Sequence, residues 1–320
     1  MNTISEKIRP YDASTDAASV FALWQSTVGR EWPLDFYLFQ QVLSAPRSQH
    51  FVVEENGQVI GFAGTQRSYS WGREAGHLLA LLVAASWQRR GLGSALYEVA
   101  IRYLRESGTQ LLQLGGHSPR FWCGVPSNLA STLDFFKARG WESFALVYDL
   151  TQDLRRYTSP PEIYLRMAEQ RITLEPACEQ DMAEVLAFEE REYPNWLVFY
   201  EDMNRLGDYQ DVLVARDQSK GDQIVGTLSM RTMQSHPQRP ELLWPALLGE
   251  DAGTMGAVGV AFAEQGRGIG LAMCARASEL LKQRGVGTCC IDWVEEETTK
   301  FYGKLGYTRW RAYHTSWREI

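Results

Sequence analysis

No Cys-x-x-Cys pair occurs among the five cysteines, Cys123, Cys178, Cys274, Cys289 and Cys290. An odd set without that spacing argues against a disulfide framework and against a cysteine-type zinc site, so they read as small apolar fillers. The five histidines, His50, His77, His117, His236 and His314, never stand at metal-ligand spacing, and no metal is expected. No apolar run approaches the roughly 18 to 20 residues of a membrane span, and MNTISEKIRPYD has no signal-peptide core. Basic charge is short too. With 32 Lys+Arg against 39 Asp+Glu the net charge is −7, which removes the footprint of a dedicated nucleic-acid binder. These absences give the expectation of a soluble, cytoplasmic protein with neither membrane nor nucleic acid among its partners.

What is present is ordinary globular composition, 45% hydrophobic and 22% charged. At roughly 150 residues per domain, 320 residues suggest about two cores. An internal repeat divides them. Gln88-Arg89-Arg90-Gly91-Leu92-Gly93 recurs as Gln265-Gly266-Arg267-Gly268-Ile269-Gly270. Each copy follows an apolar run of strand composition, 78–85 and 257–262, and each opens a helix-period pattern: Leu92, Leu96, Val99 and Tyr103, then Ile269, Met273, Ala277 and Leu280. Gly108 and Gly285 stand where those helices should end.

Other landmarks repeat as well. Glu31-Trp32-Pro33 matches Glu192-Tyr193-Pro194, and Phe135-Phe136 with Gly140-Trp141 matches Phe301-Tyr302 with Gly306-Tyr307. The unequal offsets locate insertions at 115–126 in the first copy and 236–249 in the second. The Ser-Pro-Pro stretch 151–161 reads as a linker between domains 1–150 and 162–320. Each half is expected to run short strand, two helices, β-hairpin, long strand, glycine loop and helix, strand, short helix, final strand. The hairpins turn at Asn56-Gly57 and around Lys220-Gly221. The fold class is α/β, two tandem domains with mixed, mostly antiparallel sheets flanked by helices.

A strand ending in Gln-x-Arg-Gly-x-Gly and feeding a helix presents backbone N–H groups at the positive end of the helix dipole, a site for an anion such as pyrophosphate. The glycines admit close approach, and Arg89, Arg90 or Arg267 can add charge-assisted bonds. A dinucleotide fingerprint fails on its third glycine, where Leu96 and Leu271 stand, and on the missing acidic ribose ligand near 111–112 and 289–290. The Gly-Lys-Ser/Thr of a nucleoside triphosphatase loop is absent.

In these loops, and in Phe301-Tyr302-Gly-Lys-Leu-Gly306-Tyr307, the chain resembles the GNAT acyltransferases over nearly its whole length, as two copies. The tandem layout is also similar to that of the mycothiol synthases, without a motif that carries their substrate across. The resemblance implies acetyl-CoA as acyl donor. Its pyrophosphate would lie on Gln265, Gly266, Arg267, Gly268, Ile269, Gly270 and Leu271, with the pantetheine beside Val260, Ala261 and Phe262. The first-copy counterparts are Val83, Ala84 and Ala85 with Gln88, Arg89, Arg90, Gly91, Leu92, Gly93 and Ser94.

The resemblance further implies transfer to the primary amine of a small molecule or peptide, with Tyr302 protonating the departing sulfur and Asp292 or Glu295 taking the amine's proton. Phe136 stands where Tyr302 does and cannot donate, so the second copy is the expected catalytic half. Tyr193-Pro194-Asn195-Trp196 and Phe199-Tyr200 fall in the segment that lines the acceptor pocket in similar proteins. A non-catalytic acyl-CoA binding or sensing protein is the rival reading, and a nucleotide-dependent oxidoreductase a distant third. A monomeric pseudo-dimer and a homodimer both fit the duplication.

Overall fold

The structure, a computed structural model, describes residues 7–70, 72–116, 118–142, 145–239, 241 and 244–320. The first repeat comprises β1 (Ile8–Pro10), α1 (Ala13–Thr27), α2 (Phe36–Leu43), β2 (Phe51–Glu55), β3 (Gln58–Ser70), β4 (Arg73–Val83), α3 (Leu92–Glu106), β5 (Leu111–Leu114), β6 (Val125–Pro126), α4 (Ala130–Lys137) and β7 (Ala145–Asp153). Aspartates start its first two helices: Asp12 accepts from Ser14 N–H and Asp35 from Leu38 N–H. Asn56 and Gly57 take φ of 52° and 76°, as a two-residue hairpin of the primed type requires.

The second repeat begins with an additional helix, α5 (Pro161–Glu169). It continues with β8 (Ile172–Pro176), α6 (Met182–Glu192), α7 (Leu197–Leu206), β9 (Val212–Asp217), β10 (Gln223–Thr232), α8 (Pro245–Leu248), β11 (Ala252–Val260), α9 (Ile269–Gln283), β12 (Thr288–Glu295), α10 (Glu296–Gly303) and β13 (Thr308–Glu319). Gly108 and Gly285, with φ of 78° and 88°, follow α3 and α9 as anticipated.

The compact units do not end where the repeats do. One holds the chain up to Val147 together with 240–242 and Ala312–Ile320; the other holds Tyr148–Arg239 and Leu243–Arg311. In the first unit the strand order is β1-β2-β3-β4-β5 followed by β13, whose Ser316 and Glu319 pair with Leu114 and Leu111. In the second it is β8-β9-β10-β11-β12 followed by β7. Each unit thus takes its closing strand from the other repeat, where a cut at 150 and 162 assigns each repeat its own. The stretch read as a linker, 151–161, is strand up to Asp153 and reaches α5 at Pro161.

In each sheet the long strand pairs in parallel with the strand after the glycine helix, β4 with β5 and β11 with β12. In the second unit Gly226 faces α9, since a Cβ there would lie 2.8 Å from the Met273 sulfur. Its neighbour Thr227 therefore faces α6 and α7, because successive strand residues alternate. That second face carries a core of Val185, Phe188, Tyr200, Met203, Val212 and Val214.

The inserted stretch after β10 brings Arg239, 1% exposed, into hydrogen bonds with Asp211 at 3.2 Å and the Met230 carbonyl at 3.2 Å. Pro240, Leu242 and Leu243 of the same insertion lie outside the described residues. Among the described residues no helix is long and apolar enough to cross a membrane.

Candidate active site

The parallel ladder between β11 and β12 joins Ala252, Gly253 and Thr254 to Thr288, Cys289 and Cys290. The antiparallel ladder with β10 continues to Val260. Between Thr227 and Ser229 the single Leu228 opposes both Ala257 and Val258, a bulge in which Ala257 adopts φ of 45°. Among the described residues the far half of β11 has no strand partner on the β12 side. Ala261 N–H bonds the Val225 carbonyl on the β10 side at 2.9 Å, so the alternation turns the N–H and C=O of Val260 toward the open side. There the Tyr193 hydroxyl meets both, donating to the carbonyl at 2.5 Å and accepting from the N–H at 3.1 Å.

Val260 leads into the loop. Gly266 and Gly268 take φ of 79° and 87°, and Gly268 caps α9. The first N–H groups of that helix have no intrahelical acceptor. Gly270 sits against the strand, a Cβ there falling 3.5 Å from Val260 Cγ2 and 3.7 Å from Phe301 Cζ.

Arg267 does not face this cradle alone: its guanidinium bonds Gln170 at 2.9 Å and Asp217 at 2.9 Å and pairs with Glu264. The cation over the loop is Arg166 of α5, which bonds the Gly266 carbonyl at 3.3 Å and lies 3.2 Å from the position of a Cβ on Gly268. With Lys304 and Leu271 it lines a pocket of about 300 Å³ over the start of α9. Nothing in the loop signature names Arg166, because α5 precedes the repeated pattern.

The expected acid and bases are spread apart in character. Tyr302 is 7% exposed, its ring 5.0 Å from Phe301 and 6.1 Å from Tyr307, edge to face in both cases. Burial raises its phenol far above the ordinary value, with smaller contributions from Cys274, Asp292 and Cys289. Asp292 and Glu295 are both exposed, and Glu295 stands at the N-cap of α10. A carboxylate that sequence reasoning passed over is wholly buried instead. Glu189 on α6 accepts a hydrogen bond from the Thr227 hydroxyl.

The first unit repeats the scaffold and fills the cleft. β4 pairs β5 from Ala75 to Leu78 and bulges at Leu79. The insert 115–126 departs at that point, with Gly115 N–H on the Leu78 carbonyl at 3.0 Å. It carries Phe121 and Trp122 into a ring cluster: Trp24 stacks on Trp122 at 5.1 Å and Phe39 on Phe121 at 5.4 Å. Trp32, the counterpart of Tyr193, is 1% exposed and lies 5.6 Å from Trp122 and 5.9 Å from Tyr313.

The loop of this unit is also less relaxed. Arg89 adopts φ of 61° at the position Gly266 fills in the second copy, a left-handed conformation that costs a side-chain-bearing residue about 1 kcal/mol. Gln88 Nε2 bonds the Val83 carbonyl at 3.1 Å, and Arg139 holds Ser94 at 2.6 Å. Ala84 is half-buried and Ala85 exposed.

Comparison with known proteins decides the family. The acetyltransferase (GNAT) family pattern matches residues 17–140 and again 174–307. The chain belongs to the GNAT family.

Its fold is that of tandem GNAT proteins. A GCN5-related N-acetyltransferase from Sphaerobacter thermophilus superposes with a TM-score of 0.66 at 17% identity, 98% of this chain on 96% of that one. A tandem GNAT protein from the clavulanic acid biosynthesis pathway gives 0.67 at 15% identity, with 98% of each chain covered. Similarity is higher to a fungal multi-domain β-N-acetylglucosaminidase that contains a GCN5-related glucosamine N-acetyltransferase region. There the TM-score is 0.92 and the identity 36%, over 97% of this chain and 38% of that one. An uncharacterized N-acetyltransferase of Methanocaldococcus jannaschii is 26% identical over 114 residues, 35% of this chain and 46% of its own. The chain thus spans less than half the length of both these relatives.

Proposed function

We propose that the second unit moves an acetyl group from acetyl-CoA to the primary amine of an amino sugar, with glucosamine as the first acceptor to test. The observation that carries this reading is the edge of β11, whose Val260 N–H and C=O, just before the glycine loop, are held by the Tyr193 hydroxyl and by no neighbouring strand among the described residues. The acceptor class is suggested by the 36%-identical fungal region, described as a glucosamine N-acetyltransferase.

Acetyl-CoA supplies an activated thioester carbonyl and a thiolate leaving group. The chain supplies the rest. N–H groups at the start of α9, with Arg166 and Lys304, suit the pyrophosphate. The N–H of Val260 suits the carbonyl oxygen, where developing negative charge is stabilised by a donor already in place. Tyr193 must leave Val260 for that to happen, since its hydroxyl uses the same groups. Free thiol release from acetyl-CoA should depend on added glucosamine, with N-acetylglucosamine found by mass spectrometry. Acetyl-CoA binding without thiol release for any amine would instead mark a non-catalytic acyl-CoA binding protein.

Tyr302 fits a narrower role in this reading than full proton transfer. A phenol whose proton is held so tightly by burial donates a hydrogen bond to the departing sulfur more readily than it gives up the proton. A hydrogen bond to a charged group is worth about 1.5–3 kcal/mol, so Tyr302→Phe should lower kcat about 10- to 100-fold, with acetyl-CoA affinity kept. An unchanged kcat under single-turnover conditions would remove Tyr302 from the chemistry.

A further inference from the structure

Glu189 is 0% exposed, and among the described residues its second oxygen, Oε2, has no hydrogen-bond partner. It occupies the buried stripe of α6 with Met182 and Val185, at a position where an apolar residue would pack without cost. The first repeat has Val28 at the equivalent place. A buried carboxylate with one oxygen unused invites an assignment.

Its surroundings are adjacent to the cleft. Thr227, whose hydroxyl donates to Oε1, pairs across the ladder with Gly259, next to Val260. The site a Cβ would take on Gly259 is 3.5 Å from Thr227 Oγ1 and 2.7 Å from the Tyr193 ring. Tyr193 follows Glu189 by one helical turn, its N–H bonding the Glu189 carbonyl at 2.8 Å. The Tyr193 ring is therefore the cover between the open edge of β11 and the Glu189–Thr227 pair.

Among the described residues the ionisable groups nearby, Arg231 buried farther along β10 included, are themselves engaged. From α7 comes Tyr200, whose hydroxyl donates to the Ala257 carbonyl at 2.8 Å. On α6, Glu192 accepts from Phe262 N–H at 3.1 Å. Arg239, which acts on Tyr200, is paired with Asp208 and Asp211. Burial pushes the Glu189 carboxyl up to about 7, and the Thr227 bond opposes this only in part.

Resting on the acetyltransferase reading, we propose that Glu189 is the proton-accepting residue of the transfer and acts through the Thr227 hydroxyl once Tyr193 has left Val260. As the amine nitrogen bonds to the thioester carbon and the C–S bond breaks, the nitrogen loses one proton to Thr227 Oγ. Thr227 passes its own proton to Glu189 Oε1, and the thiolate takes a proton from solvent. Loading of the acyl donor and uncovering of the base are then one event, because both require Tyr193 to move.

The test is the pH dependence of kcat/KM for glucosamine, or for the fastest amine in a panel of differing basicity. Wild type should show an acid limb near pH 7, rising as Glu189 deprotonates, that stays put when the acceptor's own pKa changes. Glu189→Gln should lose that limb and at least about 100-fold in rate, with acetyl-CoA affinity by calorimetry unchanged. Glu189→Asp should recover part of the rate. Thr227→Val removes the relay between the amine and Glu189, so it should lose rate to an extent similar to Glu189→Gln and lose the limb with it.

Infrared difference spectra between wild type and Glu189→Gln should show a carboxyl titrating near pH 7, a readout independent of turnover. A limb that follows the acceptor's pKa, or one retained with near-full rate in Glu189→Gln, overturns the proposal alone. Absence of thiol release by wild type with every amine overturns the acetyltransferase reading as well.

Discussion

Gly268→Asp is expected to abolish acetyl transfer while leaving the protein folded. Three features of the site decide this. Gly268 has φ of 87°, a region that aspartate enters more readily than most residues. Its Cβ would point at the Arg166 guanidinium, 3.2 Å away, and would stand at the positive end of α9. Both surroundings welcome a carboxylate, so the variant should be stable, and for the same reason the carboxylate should occupy the anion cradle itself. Repulsion of the pyrophosphate and loss of its cation should weaken acetyl-CoA binding by about 3 kcal/mol or more, over a hundredfold.

Gly91→Asp is the matched control. Gly91 has the same backbone, with φ of 85°, and nothing within 4 Å of its Cβ position. Because the first unit's cleft is packed with aromatic rings, this change should cost less than about threefold in rate, within the scatter expected of a surface substitution. Calorimetry and initial rates, on variants whose circular dichroism matches wild type, give the comparison. If Gly91→Asp is the inactive one, catalysis belongs to the first unit.

The duplication was legible because its marks are local. Glycine loops, hairpin turns and helix ends depend on a few neighbouring residues, and Asn56-Gly57 or Gly285 announces itself by backbone demand alone. Exchange of the closing strands was not legible. β7 and β13 have strand composition in either arrangement, and nothing in 145–153 or 308–319 specifies which β5-like edge each will join.

The site was legible in the same uneven way. The loop 265–271 stands out by its glycines, yet the charge over it comes from Arg166, in a helix outside the repeated pattern. Arg267 was the visible cation and is committed to Asp217 and Glu264. Asp292 and Glu295 were the carboxylates the resemblance pointed to, and both lie in β12 and are exposed. Glu189 left one signal that went unused: with Met182, Val185 and Phe188 it falls on the buried stripe of α6, so the period that marks the buried face places a carboxylate there. Its meaning depends on Thr227, far along the chain, which only the fold brings within reach.

The remaining large effect concerns stability. Trp24→Ala should destabilise the protein by about 3–5 kcal/mol, the usual cost of truncating a buried aromatic. Trp24 is 0% exposed and lies 4.5 Å from Phe121, 5.1 Å from Trp122 and 5.6 Å from Phe39, ring centre to ring centre. Its indole N–H also holds the Trp32 carbonyl at 2.9 Å, so the truncation leaves a buried acceptor without its donor. The neighbouring rings are themselves buried and cannot collapse into the space without leaving their own packing.

Urea denaturation monitored by tryptophan fluorescence and by circular dichroism should therefore show an early transition. Under native conditions the variant should still acetylate at no less than about half the wild-type rate, a change well below the tenfold that 1.4 kcal/mol represents. That pair of results separates a filled, structural cleft from a working one. A loss of stability below about 1 kcal/mol would contradict the packing of the cluster, since large truncations in a close-packed core do not come that cheaply. Full stability with lost activity would make the aromatic cluster of the first unit part of the chemistry.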